Sequence, residues 1–158
     1  MLSGEHGDTV RWRRAFFAEL DAVTLYGLLR LRSEVFVVEQ ACTYADLDGR
    51  DVEPGTEHLW AERGGAVIGY LRVLDEPAAE VDSGLGPRRI GRVAVAAPAR
   101  GGGLAGELMR RALDRCPADV VLDAQSRLVP WYERLGFVPT GAEYVEDGIG
   151  HVPMRLNR

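Results

Sequence analysis

The sequence has few cysteines and no long hydrophobic run, and both absences narrow the class of protein. It contains two cysteines, Cys42 and Cys116, so a disulfide-rich fold and a Cys-x-x-Cys zinc motif are excluded. No apolar stretch approaches the roughly 20 residues that span a bilayer. The N-terminal segment, MLSGEHGDTV, lacks the apolar core of a signal peptide. We therefore expect a cytoplasmic protein without a membrane partner.

Positive charge is also scarce relative to negative charge. The chain of 158 residues carries 19 Lys and Arg against 24 Asp and Glu, a formal net charge of −5. Nucleic-acid binding needs a basic face, so we expect no nucleic-acid partner, whereas an amine partner is compatible with this balance. With 46% hydrophobic residues, residues 10–158 are expected to form one domain after a flexible tail at residues 1–9.

Hydrophobic residues follow strand and helix periods in turn along the chain. The pattern gives the order β-α-β-β-β-α-β-α-β-β. The predicted strands cover residues 12–17, 58–62, 67–74, 89–96, 120–124, 138–144 and 152–156, and the predicted helices cover residues 25–36, 104–113 and 128–135. Strands before and after each late helix predict a mixed sheet with helices on its faces, in the α/β (α+β) class.

The most informative segment is a glycine run between a predicted strand and a predicted helix, RGGGLAG at residues 100–106. Glycine lets an anionic ligand approach the backbone, and a helix start presents unpaired N–H groups and the positive end of the helix dipole. These features predict a pyrophosphate-binding site. The residues expected to form it are Arg100, Gly101, Gly102, Gly103, Leu104 and Ala105.

A dinucleotide-binding fingerprint overlaps the same glycines. Gly101, Gly103 and Gly106 satisfy Gly-x-Gly-x-x-Gly, and Asp123 lies near the distance expected for a ribose-binding acid. In a Rossmann unit the first glycine directly follows the strand. Here residues 96–100 intervene, so we do not expect an NAD-binding domain.

The spacing Arg100-x-x-Gly103-x-Ala105 resembles the Arg/Gln-x-x-Gly-x-Gly/Ala acyl-CoA signature of the GNAT superfamily of N-acetyltransferases. The preceding segment, GRVAV at residues 91–95, resembles the cofactor strand of that family. The resemblance implies that the backbone of Val93 and Val95 pairs with the pantetheine arm of acetyl-CoA. It also implies a mixed, mostly antiparallel central sheet of six to seven strands flanked by helices. We expect no metal.

A second segment carries the same resemblance. Residues 125–137, QSRLVPWYERLGF, are similar to the GNAT pattern Asn-x-x-Ala…Tyr-Glu-x-Leu-Gly-Phe, with Gln125 in place of the asparagine and Leu128 in place of the alanine. The resemblance implies that Gln125 contacts the cosubstrate and that Tyr132 protonates the departing CoA thiolate. A phenol suits this role as a donor with a reference pKa of about 10. The alternative is that Tyr132 is only a core aromatic residue.

Three further segments resemble the ElaA-type branch of the superfamily. Residues 31–40, LRSEVFVVEQ, are similar to its Arg-x-x-Val-Phe-Val-x-Glu-Gln signature. The acid-rich run at residues 42–51 and the segment at residues 145–154, VEDGIGHVPM, also fit that branch. The resemblance extends from about residue 12 to residue 156. It implies direct acetyl transfer to a small-molecule or peptide amine without indicating which acceptor. The oligomeric state stays open, with a homodimer among the alternatives.

An acceptor amine must lose a proton, so the chain needs a general base. Glu39, His58 and His151 are candidates, with His151 slightly ahead because imidazole titrates near neutral pH. We expect Glu39, Gln40 and His151 to line the acceptor pocket, away from the CoA phosphates, and His58 to contact the acceptor. Each histidine can instead be structural, and Glu39 can instead brace the loop that follows it.

Three acids lie close together in the sequence. Asp46, Asp48 and Asp51 approach the spacing of an EF-hand loop, but its glycine is displaced, so we expect them to contact an amine or solvent rather than calcium.

The rival function is a non-catalytic acyl-CoA-binding module, which would keep residues 100–105 but would not need Tyr132. The presence of Tyr132 favours the enzyme.

Overall fold

The computed structural model describes residues 9–42, 44–77 and 86–158. The tail expected at residues 1–9 therefore lies, except for Thr9, outside the described residues. The strands are Arg11–Phe16 (β1), Glu57–Arg63 (β2), Ala66–Asp75 (β3), Arg88–Val95 (β4), Val120–Gln125 (β5), Val138–Pro139 (β6), Tyr144–Glu146 (β7) and Ile149–Leu156 (β8). The helices are Ala22–Arg32 (α1), Leu104–Asp114 (α2) and Val129–Arg134 (α3), and a π-helical segment, Ser33–Glu39, extends α1.

The strands form one mixed, mostly antiparallel sheet, as the sequence predicts. Its order is β1-β2-β3-β4-β5-β8-β6, with β7 also paired to β8, and the pair β4–β5 is parallel. The prediction of one strand over residues 138–144 is wrong. Two short strands, β6 and β7, lie there instead, and the sheet of the described residues has eight strands. At this break Pro139 lies opposite Met154, and the Thr140 N–H donates to the Pro153 carbonyl at 2.8 Å. Neither proline can donate a backbone hydrogen bond to a ladder.

Two hydrophobic cores lie on opposite faces of the sheet because neighbouring strand residues point to opposite sides. Leu59 and Leu71 belong to the core under α2 and α3, whereas Trp60 and Tyr70 belong to the core under α1. Full burial of one such side chain contributes about 1.5–3 kcal/mol. The alternation therefore fixes α1 with its π-helical extension on one face, and α2 and α3 on the other. Among the described residues no helix is long and apolar enough to cross a bilayer.

The end of the π-helical segment differs from the ordinary helix that the sequence predicts. The Gln40 N–H donates to the Val35 carbonyl at 3.1 Å, five residues back. Val35 and Phe36 stay buried in the core, while the wider turn carries Glu39 and Gln40 to the edge of the sheet. Such segments are rare and frequently occur at functional sites.

The parallel strands β4 and β5 separate soon after they meet. Residues 88–89 of β4 pair with residues 120–121 of β5, and the described register ends there. From Ile90 to Val95, β4 therefore has no strand partner on its β5 side. A register shift against β3, between Tyr70 and Arg72, and a left-handed φ of 53° at Arg92 mark a β-bulge in this stretch. A cleft opens between the two strands.

Candidate active site

The cleft between β4 and β5 has a volume of about 650 Å³. Small-molecule sites commonly measure roughly 300–1,000 Å³. The sequence-predicted site residues that line it are Glu39, Gln40, Val93, Val95, Arg100, Gln125, Tyr132 and His151. The fold thus brings the π-helical segment, β4, β5, α3 and β8 together around one cleft.

The glycine loop connects β4 to α2 beside this cleft. Gly101 and Gly103 have left-handed φ values of 88° and 79°, which explains glycine at both positions. A Cβ atom added at residues 101–103 would meet no heavy atom within 4 Å, so the loop borders open space. Gly103 is the N-cap of α2 and has no side chain to accept a hydrogen bond. The first-turn amides of Leu104 and Ala105 are therefore free to bind an anion.

The open side of β4 presents backbone groups rather than side chains to a ligand. Val93 and Val95 lie in the stretch that β5 leaves unpaired. An exposed strand edge is a template on which an extended ligand can form main-chain hydrogen bonds. Leu104, at the far end of the loop, has a buried side chain, so only its backbone is exposed for contact at the loop.

Arg100 is held in place by two partners. Its Nε donates to the Val95 carbonyl at 3.0 Å, and its Nη1 and Nη2 donate to the two carboxylate oxygens of Glu39 at 2.5 and 2.6 Å. The hydrogen bond from Arg100 keeps the pKa of Glu39 below its usual range. Glu39 therefore lies beside the glycine loop, which the sequence predicts to bind the CoA phosphates, rather than away from that loop.

Gln40 and Gln125 meet at the same end of the cleft. The Gln125 Nε2 donates to the Gln40 Oε1 at 3.1 Å, and the Arg127 Nη2 donates to the Gln125 Oε1 at 3.0 Å. Both ends of the Gln125 amide are thus engaged. A residue predicted to contact the acceptor and one predicted to contact the cosubstrate are direct neighbours.

Tyr132 lies on α3 with its ring packed and its hydroxyl without a partner. The ring stands edge-on to Trp131 and Phe137, with centroid distances of 4.8 and 6.0 Å. Burial raises the pKa of Tyr132 to about 12, so the hydroxyl keeps its proton at neutral pH. Within the described parts of the chain, no group forms a hydrogen bond with it. The arrangement suits a proton donor.

His151 lies on β8 and has a defined tautomer. Its Nδ1 is 2.9 Å from the Ile149 carbonyl, and because a carbonyl only accepts, Nδ1 must carry the proton. In the neutral imidazole the lone pair is therefore on Nε2, which has no partner among the described residues. The ring of Tyr144 stacks on the imidazole with a centroid distance of 5.6 Å. This geometry suits a general base.

His58 lies outside the cleft. It is 1% exposed, and its two ring nitrogens are 2.6 Å from the Tyr70 hydroxyl and 3.0 Å from the Asp51 carbonyl. Burial lowers the pKa of His58 below its ordinary value. Because both nitrogens are engaged inside the core, the structure does not support the prediction that His58 contacts the acceptor.

The three loop acids pair with arginines, so the prediction that they contact an amine or solvent is wrong for the buried Asp46 and Asp51, whereas Asp48 stays partly exposed and lines the cleft. Asp51 accepts from Arg32 at 2.7 Å and from Arg72 at 3.1 Å, and Asp48 pairs with Arg72 as well. Asp46 accepts from Arg32 and pairs with Arg92; the distances are 3.1 and 2.9 Å. In the described residues no group of three or more His, Cys, Asp or Glu side chains could hold a metal ion.

Sequence reasoning missed several polar residues that line the cleft. Arg72, Arg92 and Tyr44 are among them, and the Arg92 guanidinium lies over the Tyr44 ring at 5.1 Å. A usable signal was present at Arg72, which interrupts the apolar run of β3. A charge at an inward strand position requires a buried partner.

Known proteins match this chain over nearly its whole length. A family model described as an acetyltransferase (GNAT) domain matches residues 20–158. A UPF0039 protein of Mycobacterium tuberculosis is 45% identical over 144 residues, 90% of each chain, and ElaA of Escherichia coli K12 is 37% identical over 150 residues, 92% of this chain and 95% of ElaA. The crystal structure of an acyl-CoA N-acyltransferase from Pseudomonas aeruginosa matches with a TM-score of 0.85 and 42% identity, covering 94% of this chain and 99% of that one. The crystal structure of Escherichia coli ElaA matches with a TM-score of 0.85 and 35% identity, covering 94% of this chain and 100% of ElaA.

Proposed function

The chain belongs to the GNAT acetyltransferase family, and from this premise we propose that it transfers an acetyl group from acetyl-CoA to an amine. The observation that carries the proposal is the cleft where β4 and β5 separate. The unpaired edge of β4, Tyr132 and Arg100 line it, and Arg100 leads directly into the glycine loop at the start of α2. An extended thioester cosubstrate with a pyrophosphate group needs each of these features.

The residues of the cleft divide the cosubstrate between them. Backbone groups of Val93 and Val95 pair with the pantetheine arm, as an added strand would. The amides that follow Gly103 bind the pyrophosphate, since the N-terminus of a helix favours negative charge. Gln125 lies at the end of β5 on the opposite wall. The proposal involves no metal.

The side chains that remain carry the proton transfers. The acceptor nitrogen attacks the thioester carbonyl while His151 Nε2 takes its proton, so that the C–N bond forms and the C–S bond breaks. Tyr132 donates its proton to the leaving sulfur. Glu39 is less suited to act as the base because both its oxygens accept hydrogen bonds from Arg100.

A thermal-shift experiment tests the cosubstrate. At 100 times its dissociation constant, acetyl-CoA should stabilise the native protein by about 2.7 kcal/mol, which raises Tm by about 5–10 °C in a chain of this size. NAD at the same concentration should leave Tm unchanged. An unchanged Tm with saturating acetyl-CoA would contradict the proposal.

Thiol release from acetyl-CoA with a library of amines then tests the transfer. All 19 Lys and Arg positions are arginine, so no lysine ε-amine of the enzyme can consume the acetyl group. We expect release above the rate of hydrolysis with at least one amine class. Stabilisation by acetyl-CoA without release for any amine would instead identify a non-catalytic acyl-CoA-binding module.

A further inference from the structure

Two consecutive residues connect the ends of the two strands that separate. Glu39 pairs with Arg100, which follows β4, and Gln40 accepts a hydrogen bond from Gln125, the last residue of β5. We call Glu39 and Gln40, with these two contacts, the strap. All four residues line the cleft. The strap therefore spans the end of the cleft that lies beside the glycine loop.

Within the strap, the Glu39 carboxylate binds the guanidinium of Arg100, which is the cationic group that a phosphate would bind. Each of the three guanidinium nitrogens of Arg100 already donates a hydrogen bond, one to Val95 and two to Glu39. A carboxylate accepts such a pair of parallel bonds in the same way as a phosphate. Two anions that share one guanidinium repel each other.

Glu39 is able to leave this position without disturbing the core. Its side chain is 46% exposed, and Val38 before it is also exposed. Val35 and Phe36, one turn earlier, hold the segment to the sheet. The Glu39 side chain can therefore rotate into solvent while the segment stays in place.

We propose that Glu39 competes with the pyrophosphate of CoA for Arg100, so that it weakens cosubstrate binding and releases Arg100 when the cosubstrate binds. This inference rests on the proposed function. The opposite role would be positioning, in which Glu39 orients Arg100 for the phosphate. The two roles predict opposite changes in affinity when the carboxylate is removed.

Isothermal titration of acetyl-CoA into the wild type and Glu39→Gln separates the two roles. We expect Glu39→Gln to bind acetyl-CoA about three- to tenfold more tightly, since an exposed pair and a like-charge contact are removed. Glu34→Gln is the matched control. It removes one charge from the same segment, where Glu34 is exposed and pairs with Arg30 rather than with the loop, and its affinity should stay within about twofold of the wild type.

Equal or weaker binding by Glu39→Gln, with the wild type binding acetyl-CoA, would overturn the competition and leave the proposed function standing. No binding by either protein would overturn the proposed function itself. In an Arg100→Gln background, Glu39→Gln should change affinity less than about twofold, because no guanidinium is left to release. A full gain there would also overturn the competition.

Discussion

Tyr132 combines a packed ring with a hydroxyl that has no hydrogen-bond partner in the described parts of the chain, and this combination can be tested by removing one oxygen atom. Tyr132→Phe preserves the contacts with Trp131 and Phe137 but removes the proton donor. We expect kcat to fall about 10²- to 10⁴-fold, the usual contribution of general-acid catalysis, with the affinity for acetyl-CoA nearly unchanged. Steady-state kinetics with an accepted amine and titration calorimetry measure the two quantities.

Tyr70→Phe is the control for this substitution. Tyr70 is also buried, but its hydroxyl contacts His58 outside the cleft. The control should lower the free energy of unfolding and leave kcat close to the wild-type value. Full turnover in Tyr132→Phe would identify Tyr132 as a core aromatic residue only.

Sequence reasoning distinguishes catalytic from structural residues only where spacing carries the information. The positions of Tyr132 and Arg100 in the cleft could be predicted because local motifs fix them relative to a helix and a loop. His58 and His151 look equally suitable in the sequence. They differ because His58 points into the core beneath the arginine–aspartate network, and its partners Tyr70 and Asp51 are fixed by sheet register and loop position.

At the scale of elements, most strands and helices were predicted and the irregular segments were not. The prediction of the pair β2 and β3 at residues 58–62 and 67–74 is confirmed within a few residues. The π-helical turn at Ser33–Glu39 was missed because its hydrophobic spacing fits an α-helix as well. The β-bulge at Arg92 was missed because its left-handed φ depends on loop contacts with Asp46 and Tyr44.

The glycine loop gives a prediction with a matched element elsewhere in the fold. Gly103 and Gly65 have almost the same φ, 79° and 80°, and a Cβ at either would meet open space. Gly103→Glu and Gly65→Glu should therefore lose similar stability, about 1 kcal/mol or more, from backbone strain. Gly103→Glu alone should abolish the thermal shift with acetyl-CoA, because it places bulk and negative charge at the proposed pyrophosphate site.

Thermal scans of both variants with and without acetyl-CoA measure these effects together. Gly65 lies in the β2–β3 turn, away from the residues that line the cleft, so its variant should keep the wild-type shift. A wild-type thermal shift in Gly103→Glu would contradict the placement of the phosphate site at this loop.

At the scale of the whole molecule, buried charges tie the loop after the π-helical segment to the sheet. Arg32 is 1% exposed and Arg72 is 4% exposed, and both donate to Asp51. Burial alone would raise the pKa of Asp51, but the Arg32 hydrogen bond and the two positive charges outweigh burial and lower it. Removing one partner would leave a buried charge unpaired, which is strongly destabilising. Arg72 also lines the cleft, so the network ties the loop to one wall of the cleft.

The free energy of unfolding should depend on pH in two separate windows. His58, beneath the network, sets one of them, and Asp51, within the network, sets the other. Burial lowers the pKa of His58 below its ordinary 6.5, so as the pH falls below about 6.5 the unfolded chain gains a proton that the folded protein resists, and stability is lost. The lowered pKa of Asp51 acts in the same direction, but only as the pH falls below the ordinary aspartate value of 3.8. We therefore expect the wild-type free energy of unfolding to decrease between pH 7 and pH 5, with a slope of up to about 1.4 kcal/mol per pH unit for one proton. Urea denaturation at several pH values measures this slope.

His58→Gln should start from a lower stability, because Tyr70 and Asp51 lose well-placed partners, and should lose the slope. If the variant retains the slope, or if the wild type is equally stable at pH 7 and pH 5, His58 is not the group that titrates.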